Sequence, residues 1–281
     1  MIKLVLTDLD DTLIPHSAPG ISPRAAKAMH TLLDDGACVG PVSGRVPKAM
    51  GWMLGGDESL YQTGAFCNGQ IVYLNGKKLA EVPVDSDLLT QVVSYLDELG
   101  DAALGVYGVA ADKGATLITQ HPERLYGHPV IFSESEGEVS TKVPERVIKC
   151  NVHIEGDYQH RCEVRDQLCE AFPDLSFVLP SLIAPLIDIC PADCDKGTAV
   201  KTLIEALGID NEQAVCFGDS ENDLAMLDAV TNSVGVANAD ETVASRVKWH
   251  IGPSDQDSVA QAMEQIATSI ETKTVPSFMR E

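Results

Sequence analysis

Ile2-Lys3-Leu4-Val5-Leu6-Thr7-Asp8-Leu9-Asp10-Asp11-Thr12-Leu13 is an apolar run that ends abruptly in three carboxylates. A short Val/Leu/Ile-rich run of this kind reads as a strand buried on both faces. Its acids then sit at the carboxyl end, where open α/β sheets place their ligand sites. Residues i and i+2 of a strand share a face, so Asp8 and Asp10 point together and repel unless a cation lies between them. Mg2+ suits that position, being a hard ion that takes oxygen ligands and tolerates one or two carboxylates plus substrate phosphate oxygens. Two acids that merely end a strand and meet solvent would look the same in this stretch alone, so the rest of the chain has to decide.

Far along the chain the design repeats. Ala214-Val215-Cys216-Phe217-Gly218-Asp219-Ser220-Glu221-Asn222-Asp223 is again an apolar strand that breaks at a glycine and delivers acids, and Leu224-Ala225-Met226-Leu227 continues it as a helix. Asp219 falls on the strand-to-helix loop, with Asn222 and Asp223 in the first helical turn; Glu221 reads as a simple helix-dipole partner. Between the two acid-bearing strands, Val39-Gly40-Pro41-Val42-Ser43-Gly44-Arg45 ends a strand in a hydroxyl and a glycine. Backbone N–H groups and the Ser43 hydroxyl there can hold an anion, or Ser43 can simply cap a helix. Asp195-Lys196-Gly197-Thr198 opens the helical pattern 199–208. A lysine in a first turn works against the helix dipole, so Lys196 should have an external anionic partner.

Taken in order, D-x-D-x-T, Ser-Gly-Arg, Lys-Gly and G-D-x-x-N-D resemble the four motifs of the haloacid-dehalogenase-like (HAD) phosphatase superfamily. About one βα unit separates Asp10 from Ser43, whereas the stretch from Ser43 to Lys196 is long enough for an additional domain. An insertion at that second position resembles the Cof-type subfamily, and the resemblance extends to about Ile270. It implies a doubly wound α/β core formed by residues 1–81 and 186–270, with an α+β cap inserted at 82–185. The tail, 271–281, lacks periodicity and is expected to be mobile.

The resemblance also implies the chemistry: Mg2+-dependent hydrolysis of a small phosphate monoester, a sugar phosphate or a phosphorylated cofactor. Asp8 would attack phosphorus to form an aspartyl-phosphate, and Asp10 would serve as general acid and then general base. The metal would be held by Asp8, the Asp10 backbone carbonyl and Asp219, which leaves the Asp10 side chain free for proton transfer. The Leu9 backbone, Ser43, Gly44, Lys196 and Asn222 would surround the phosphoryl oxygens, and Asp223 would orient the metal ligands from behind. Lys196, placed beside Asp8, would keep the nucleophile ionised and its pKa low. Thr12 would hydrogen-bond within the nucleophile loop or cap its turn. A phosphomutase or phosphotransferase of the same superfamily would return the group to a second hydroxyl. A non-catalytic phosphate-binding module is the third alternative, against which the retained Asp10 argues.

Asp11 stands where Cof-type members often have glycine, and Ser43 where they often have threonine; neither removes a required group. Pro41 cannot donate to a ladder, which points to a sheet edge or a bulge.

Composition agrees with a cytoplasmic enzyme. A net charge of −22 over 281 residues argues against nucleic acid or an anionic membrane as partner, since both demand clustered Lys and Arg. The same field opposes an anionic ester, so local cations (Mg2+, Lys196 and Arg45) become more necessary. The N-terminal stretch reads as a strand, without a signal-peptide core or a bilayer-length apolar segment. The eight cysteines include no C-x-x-C pair and read as reduced core residues. In the cap, His121, His128, His153 and His160 read as structural or surface groups, while Arg124, Tyr126 and His128 on the segment 121–129 are candidates for substrate contact.

Periodicity supplies the remaining elements. Ser22 caps a helix with Pro23 at its first position. Asn75-Gly76 turns a hairpin. The cap pattern is a helix at 86–99, strands at 104–109, 115–119 and 147–154, a helix at 161–172 and further strands, after which Ile187-Asp188-Ile189 is expected to return to the core. A strand at 233–237 and a last helix at 255–270 complete the expected core.

Overall fold

The computed structural model describes residues 1–108, 114–127, 138–180 and 184–280. The chain forms two compact units, one of Met1–Ala80 with Asp195–Glu281 and the other of Glu81–Cys194.

In the first unit five parallel strands run in the order Trp249–His250, Asn232–Gly235, Ala214–Gly218, Leu4–Thr7 and Cys38–Pro41. Leu4–Thr7 lies between two neighbours, with Leu4 opposite both Ala214 and Cys38, and all four of its residues are buried. Parallel neighbours require crossover connections, and here helices supply them. Lys196–Leu207 and Leu224–Asp228 pack Val200, Leu203 and Met226 onto Leu4, Leu6 and Cys216. Each such side chain contributes about 1.5–3 kcal/mol on burial. Ser22 accepts from the Ala25 amide and Pro23 begins the helix Pro23–Asp34, which packs against Ser258–Thr272.

Cys38–Pro41 is the edge of this sheet, which is how Pro41 is accommodated. Gly40 lets the chain at Thr63 pass close by, since a Cβ there would lie 1.6 Å from the Thr63 carbonyl oxygen. Just beyond, Val42 bridges to Ala65 of a small sheet formed by Gly64–Phe66, Ile71–Leu74 and Lys77–Glu81. Its hairpin turns at Asn75 and Gly76, both at positive φ (51° and 75°), as a type I′ turn requires.

The second unit is a six-stranded sheet in the order Leu175–Val178, Leu186–Pro191, Lys149–Ile154, Ala102–Tyr107, Thr116–Ile118 and Val139–Ser140, antiparallel except for the last pair. The helices Ser86–Leu99 and Tyr158–Ala171 bury Leu89, Val92, Leu96, Val164 and Leu168 against Leu104, Val152, Ile187 and Ile189.

Two expectations need correction. Ile187-Asp188-Ile189 does not return to the core sheet: it pairs antiparallel with Lys149–Ile154 and Leu175–Val178, and the first unit resumes at Asp195. Asp188, at the centre of that stretch, meets Lys149 and Asn151 in the antiparallel sheet, whereas Leu4–Thr7 and Ala214–Gly218, at the centre of the parallel sheet, are apolar but for Thr7. The segment after Ile270 also has defined structure. The helix Ser258–Thr272 runs past Ile270, the Phe278 amide donates to Gln265 Oε1 at 3.2 Å, and Met279 is buried. One apolar side chain and a side-chain acceptor anchor it, neither of which makes a periodic pattern.

All eight cysteines are free thiols. Among the described residues no helix is long and apolar enough to cross a membrane. His128 lies outside the described residues.

Candidate active site

The carboxyl ends of Leu4–Thr7 and Ala214–Gly218, neighbours in the sheet, bring Asp8 and Asp219 together. The Asp8 amide continues the ladder by donating to the Phe217 carbonyl at 2.9 Å. Chain reversal follows at once. Asp11 N–H donates to Ile14 O at 2.9 Å, Ile14 N–H donates to Leu9 O at 2.8 Å, and Asp11 adopts a left-handed φ of 58°. Asn238 Nδ2 donates to the Asp11 carbonyl at 2.8 Å and holds this turn. An aspartate tolerates that conformation better than most residues, which accounts for Asp11 where glycine is common.

Lys196 lies at the start of its helix, whose N-cap Asp195 forms a capping box with Thr198. Its ammonium donates to Asp8 Oδ1 and to Asp223 Oδ1, both at 2.6 Å. The lysine is 1% exposed, so its anionic partners are supplied by the protein itself. Close approach makes this possible: a Cβ on Gly197 would lie 2.3 Å from the Ala225 carbonyl oxygen, and one on Gly218 would lie 2.7 Å from the Asp223 side chain.

Asp223 is fully consumed in orienting its neighbours. Its Oδ1 takes the lysine, and its Oδ2 accepts from the Asp219 and Ser220 amides at 2.9 and 3.2 Å. Thr12 donates to Asp219 Oδ1 at 2.5 Å, crossing from the nucleophile loop to the second acid strand. Asn222 Oδ1 accepts from Ser220 Oγ at 2.8 Å, which leaves its amide N–H groups as donors. Ser43 is pinned at the small sheet, its amide donating to Ala65 O and its carbonyl accepting from Asn68 N–H. Its Oγ accepts from the Arg45 amide at 3.2 Å, so the hydroxyl proton can be directed outward.

The electrostatics corrects one expectation. Burial raises the Asp8 carboxyl well above the usual carboxylate range; the Lys196 charge pulls the other way but does not overcome it, and Asp223, Asp219 and Asp10 add to the rise. Lys196 therefore lowers the Asp8 pKa without offsetting the larger effect of burial. Burial works to lower the Lys196 pKa, and the Asp223 and Asp8 carboxylates outweigh it and raise the value. Asp219 is pushed up to about 7, first by burial and then by Asp223.

These features fit a divalent cation. Oxygens of Asp8, Asp219 and Asp223 all lie within 4.8 Å of one another, with a single ammonium among three carboxylates. Asp219 Oδ2 takes part in none of the bonds above, and Asp8 Oδ1 has a lone pair beyond the one Lys196 uses; both are hard donors of the kind Mg2+ prefers. The Asp10 carbonyl is not used in closing the loop and is the third candidate. The Asp10 carboxylate, however, is not free as expected. Arg45 grips it in a bidentate pair, Nε to Oδ2 and a terminal nitrogen to Oδ1, both at 2.7 Å. Thr12 to Asp219, the Arg45 clamp and the Asn238 tether are the contacts that motif reading missed. Each joins residues far apart in sequence, and only the arginine after Ser-Gly carried any signal.

Known proteins resemble this chain over most of its length. A family profile of haloacid dehalogenase-like hydrolases matches residues 5–263. A Haemophilus influenzae protein with a provisional phosphatase name is 25% identical over 267 residues, spanning 94% of this chain and 98% of its own. The HMP-PP phosphatase of Enterobacter sp. strain 638 is 25% identical over 245 residues, spanning 85% of each chain. The crystal structure of SMU.1108c from Streptococcus mutans superposes with a TM-score of 0.80 at 18% identity, covering 96% of this chain and 100% of its own, and so shares the fold.

Proposed function

We propose, from the premise that this chain belongs to the haloacid dehalogenase-like hydrolase family and is a phosphatase, that it hydrolyses a small phosphorylated metabolite with Mg2+ through an aspartyl-phosphate on Asp8. The observation that carries this reading is the buried Asp8 carboxylate, with Oδ1 held by Lys196 and Oδ2 left to react. A nucleophile approaching a phosphate dianion faces charge repulsion, so positioning and neutralisation are most of the catalytic task. When bound by Asp8, Asp219 and the Asp10 carbonyl, Mg2+ supplies charge neutralisation at the phosphoryl oxygens.

Two displacements account for the reaction. In the first, Asp8 Oδ2 forms a bond to phosphorus, the ester P–O bond breaks, and Asp10, protonated on an oxygen that Arg45 has released, gives its proton to the leaving alkoxide. In the second, Asp10 takes a proton from water while the water oxygen bonds to phosphorus. The acyl-phosphate P–O bond then breaks, inorganic phosphate departs, and Asp8 and the protonated Asp10 are restored. Ser43, the Gly44 N–H, the Leu9 N–H and Asn222 donate to the phosphoryl oxygens. Lys196 has three N–H groups, two of them on Asp8 and Asp223, so the third can reach the phosphoryl group. A relative named for HMP-PP supports a phosphorylated small molecule, a cofactor or sugar phosphate, as the substrate class.

The test is release of inorganic phosphate from a panel of phosphorylated sugars and cofactors, with Mg2+ and with EDTA. Asp8→Asn is expected to lower the Mg2+-dependent rate by at least about 10³-fold. Disappearance of the ester without phosphate release would mark a transferase, and bound but unconsumed ester would mark a binding module.

A further inference from the structure

The leaving group is the part of the substrate that differs between phosphatases of one mechanism, and Asp10 marks where it must lie. A general acid has to stand within hydrogen-bond reach of the oxygen it protonates. Arg45 touches both Asp10 oxygens, so its guanidinium borders the leaving-group side of the site. That guanidinium also lies over the indole of Trp52, 5.6 Å from the ring centroid.

Trp52 is unusual for this chain, being 58% exposed on the short helix Met50–Met53 while Met50 and Met53 on either side are buried. The mounting is firm. Ile21 N–H donates to the Met53 carbonyl at 2.7 Å, and a Cβ on Gly20 would lie 3.0 Å from the Met53 and 3.2 Å from the Trp52 carbonyl oxygen. The backbone that carries this large aromatic side chain is thus fixed, and much of the side chain's surface is in water, next to the arginine that contacts the proton-transfer carboxylate. An exposed indole beside a guanidinium is a stacking surface, since both planes accept a flat π-system and the cation strengthens the stack. A flat ring covers such a surface fully, whereas a puckered sugar ring edged with hydroxyls covers it only in part.

We propose that Trp52, with Arg45, forms the platform for the leaving group, and that the preferred substrates carry a planar aromatic or heteroaromatic ring one or two bonds from the esterified oxygen. This rests on the phosphatase reading above and specifies its substrate class. Trp52 acts as a specificity residue, and the proton and phosphoryl transfers remain with Asp8 and Asp10.

The probes are pyridoxine 5′-phosphate and glucose 6-phosphate, with kcat/KM measured for both. Wild type is expected to favour the ring substrate. In Trp52→Ala the ratio of the two values should fall about tenfold or more, carried mainly by KM, and Trp52→Phe should recover most of it. An equal loss for both esters, or a loss for neither, overturns the proposal. Turnover of glucose 6-phosphate without turnover of pyridoxine 5′-phosphate overturns the ring preference while the phosphatase reading stands. If neither ester releases phosphate, that reading fails by itself and fluorescence decides the platform. Trp52 and Trp249 are the two tryptophans, so an Asp8→Asn, Trp249→Phe protein reports Trp52 alone. Saturable quenching by pyridoxine 5′-phosphate and none by glucose 6-phosphate would support the ring site, and its absence would overturn it.

Discussion

Each unit of this protein buries a lysine–aspartate cluster, and the two clusters are built to opposite ends. In the first unit Lys196 stands between Asp8 and Asp223, with Asp219 close by, so three carboxylates share one ammonium. In the second unit Lys149 pairs with Asp188 at 2.6 Å, Asn151 donates to the same Asp188 oxygen, and His153 lies alongside on the same strand. There one ammonium meets one carboxylate, with Asn151 and a neutral His153 beside them. Tyr107 shares a hydrogen bond with His153 Nε2 at 3.0 Å, and burial followed by the Lys149 charge pushes the His153 pKa down to about 4. Gly105 makes room for the imidazole, since a Cβ there would lie 2.2 Å from Nε2. A buried cluster with surplus charge and unused oxygens is prepared for a cation and an anionic substrate. One whose charges balance contributes to packing and to a defined register.

Replacing the lysine in each cluster should separate the two most strongly. Lys196→Met leaves two buried carboxylates without their cation, and should cost about 3–5 kcal/mol of stability in metal-free protein and about a hundredfold or more in kcat/KM. Added Mg2+ should recover part of the stability. Lys149→Met should also destabilise by a few kcal/mol, on the order of what breaking a buried pair costs, with no recovery by Mg2+ and less than about a threefold change in kcat/KM. A tenfold kinetic loss from Lys149→Met, in protein shown to be folded, would mean that the second cluster serves the substrate too.

The two clusters should also titrate in opposite senses. The folded protein holds a proton on Asp219 up to about 7, whereas the ordinary value is 3.8. That contribution to metal-free stability is present below the ordinary value and is lost as pH rises through about 7. Mg2+ takes the proton's place, so the stabilisation it confers should grow between about pH 5 and pH 8. Thermal unfolding with and without Mg2+ measures this; an increment that does not change with pH would separate Asp219 from the metal.

His153 works the other way. Its folded pKa of about 4 lies below the ordinary 6.5. The unfolded chain therefore takes up a proton first as pH falls, and stability declines between those values by about 3 kcal/mol in total. Urea unfolding should show the decline in wild type and a flatter profile in His153→Gln. A slope that persists in the variant would assign the acid sensitivity elsewhere.

The smallest expected effect lies at Thr12, which braces Asp219 from across the sheet. Thr12→Val removes one hydrogen bond, about 0.5–1.5 kcal/mol, and should weaken Mg2+ binding about three- to tenfold, with Thr12→Ser close to wild type. The Mg2+ concentration needed for half-maximal rate reads this directly.

Much of the core is legible in the sequence because its signals are local. An apolar run ending in Asp8 and another ending in Gly218-Asp219 report buried parallel strands and the end at which ligands bind. Ser22-Pro23 reports a helix start and Asn75-Gly76 a hairpin, since caps and turns are decided by a few adjacent dihedrals. The partner of Ile187-Asp188-Ile189 is not legible in this way, because periodicity states that a strand exists and not which sheet it joins. Met279 escaped for a related reason: a single buried side chain has no period.

The identity of the reacting groups and their order along the chain follow from the sequence, because strand alternation and helix-start chemistry act over a few residues. So does the surplus of acid, which is a matter of composition. How those groups are bonded to one another is a property of the folded chain. Lys196 is shared by Asp8 and Asp223, Thr12 reaches Asp219, and Arg45 grips Asp10 while lying over Trp52. Most of these contacts close loops of tens to hundreds of residues, and their strength depends on burial, which removes water and sets the field at each carboxylate. Neither the closure nor the burial is a property of any short stretch of chain.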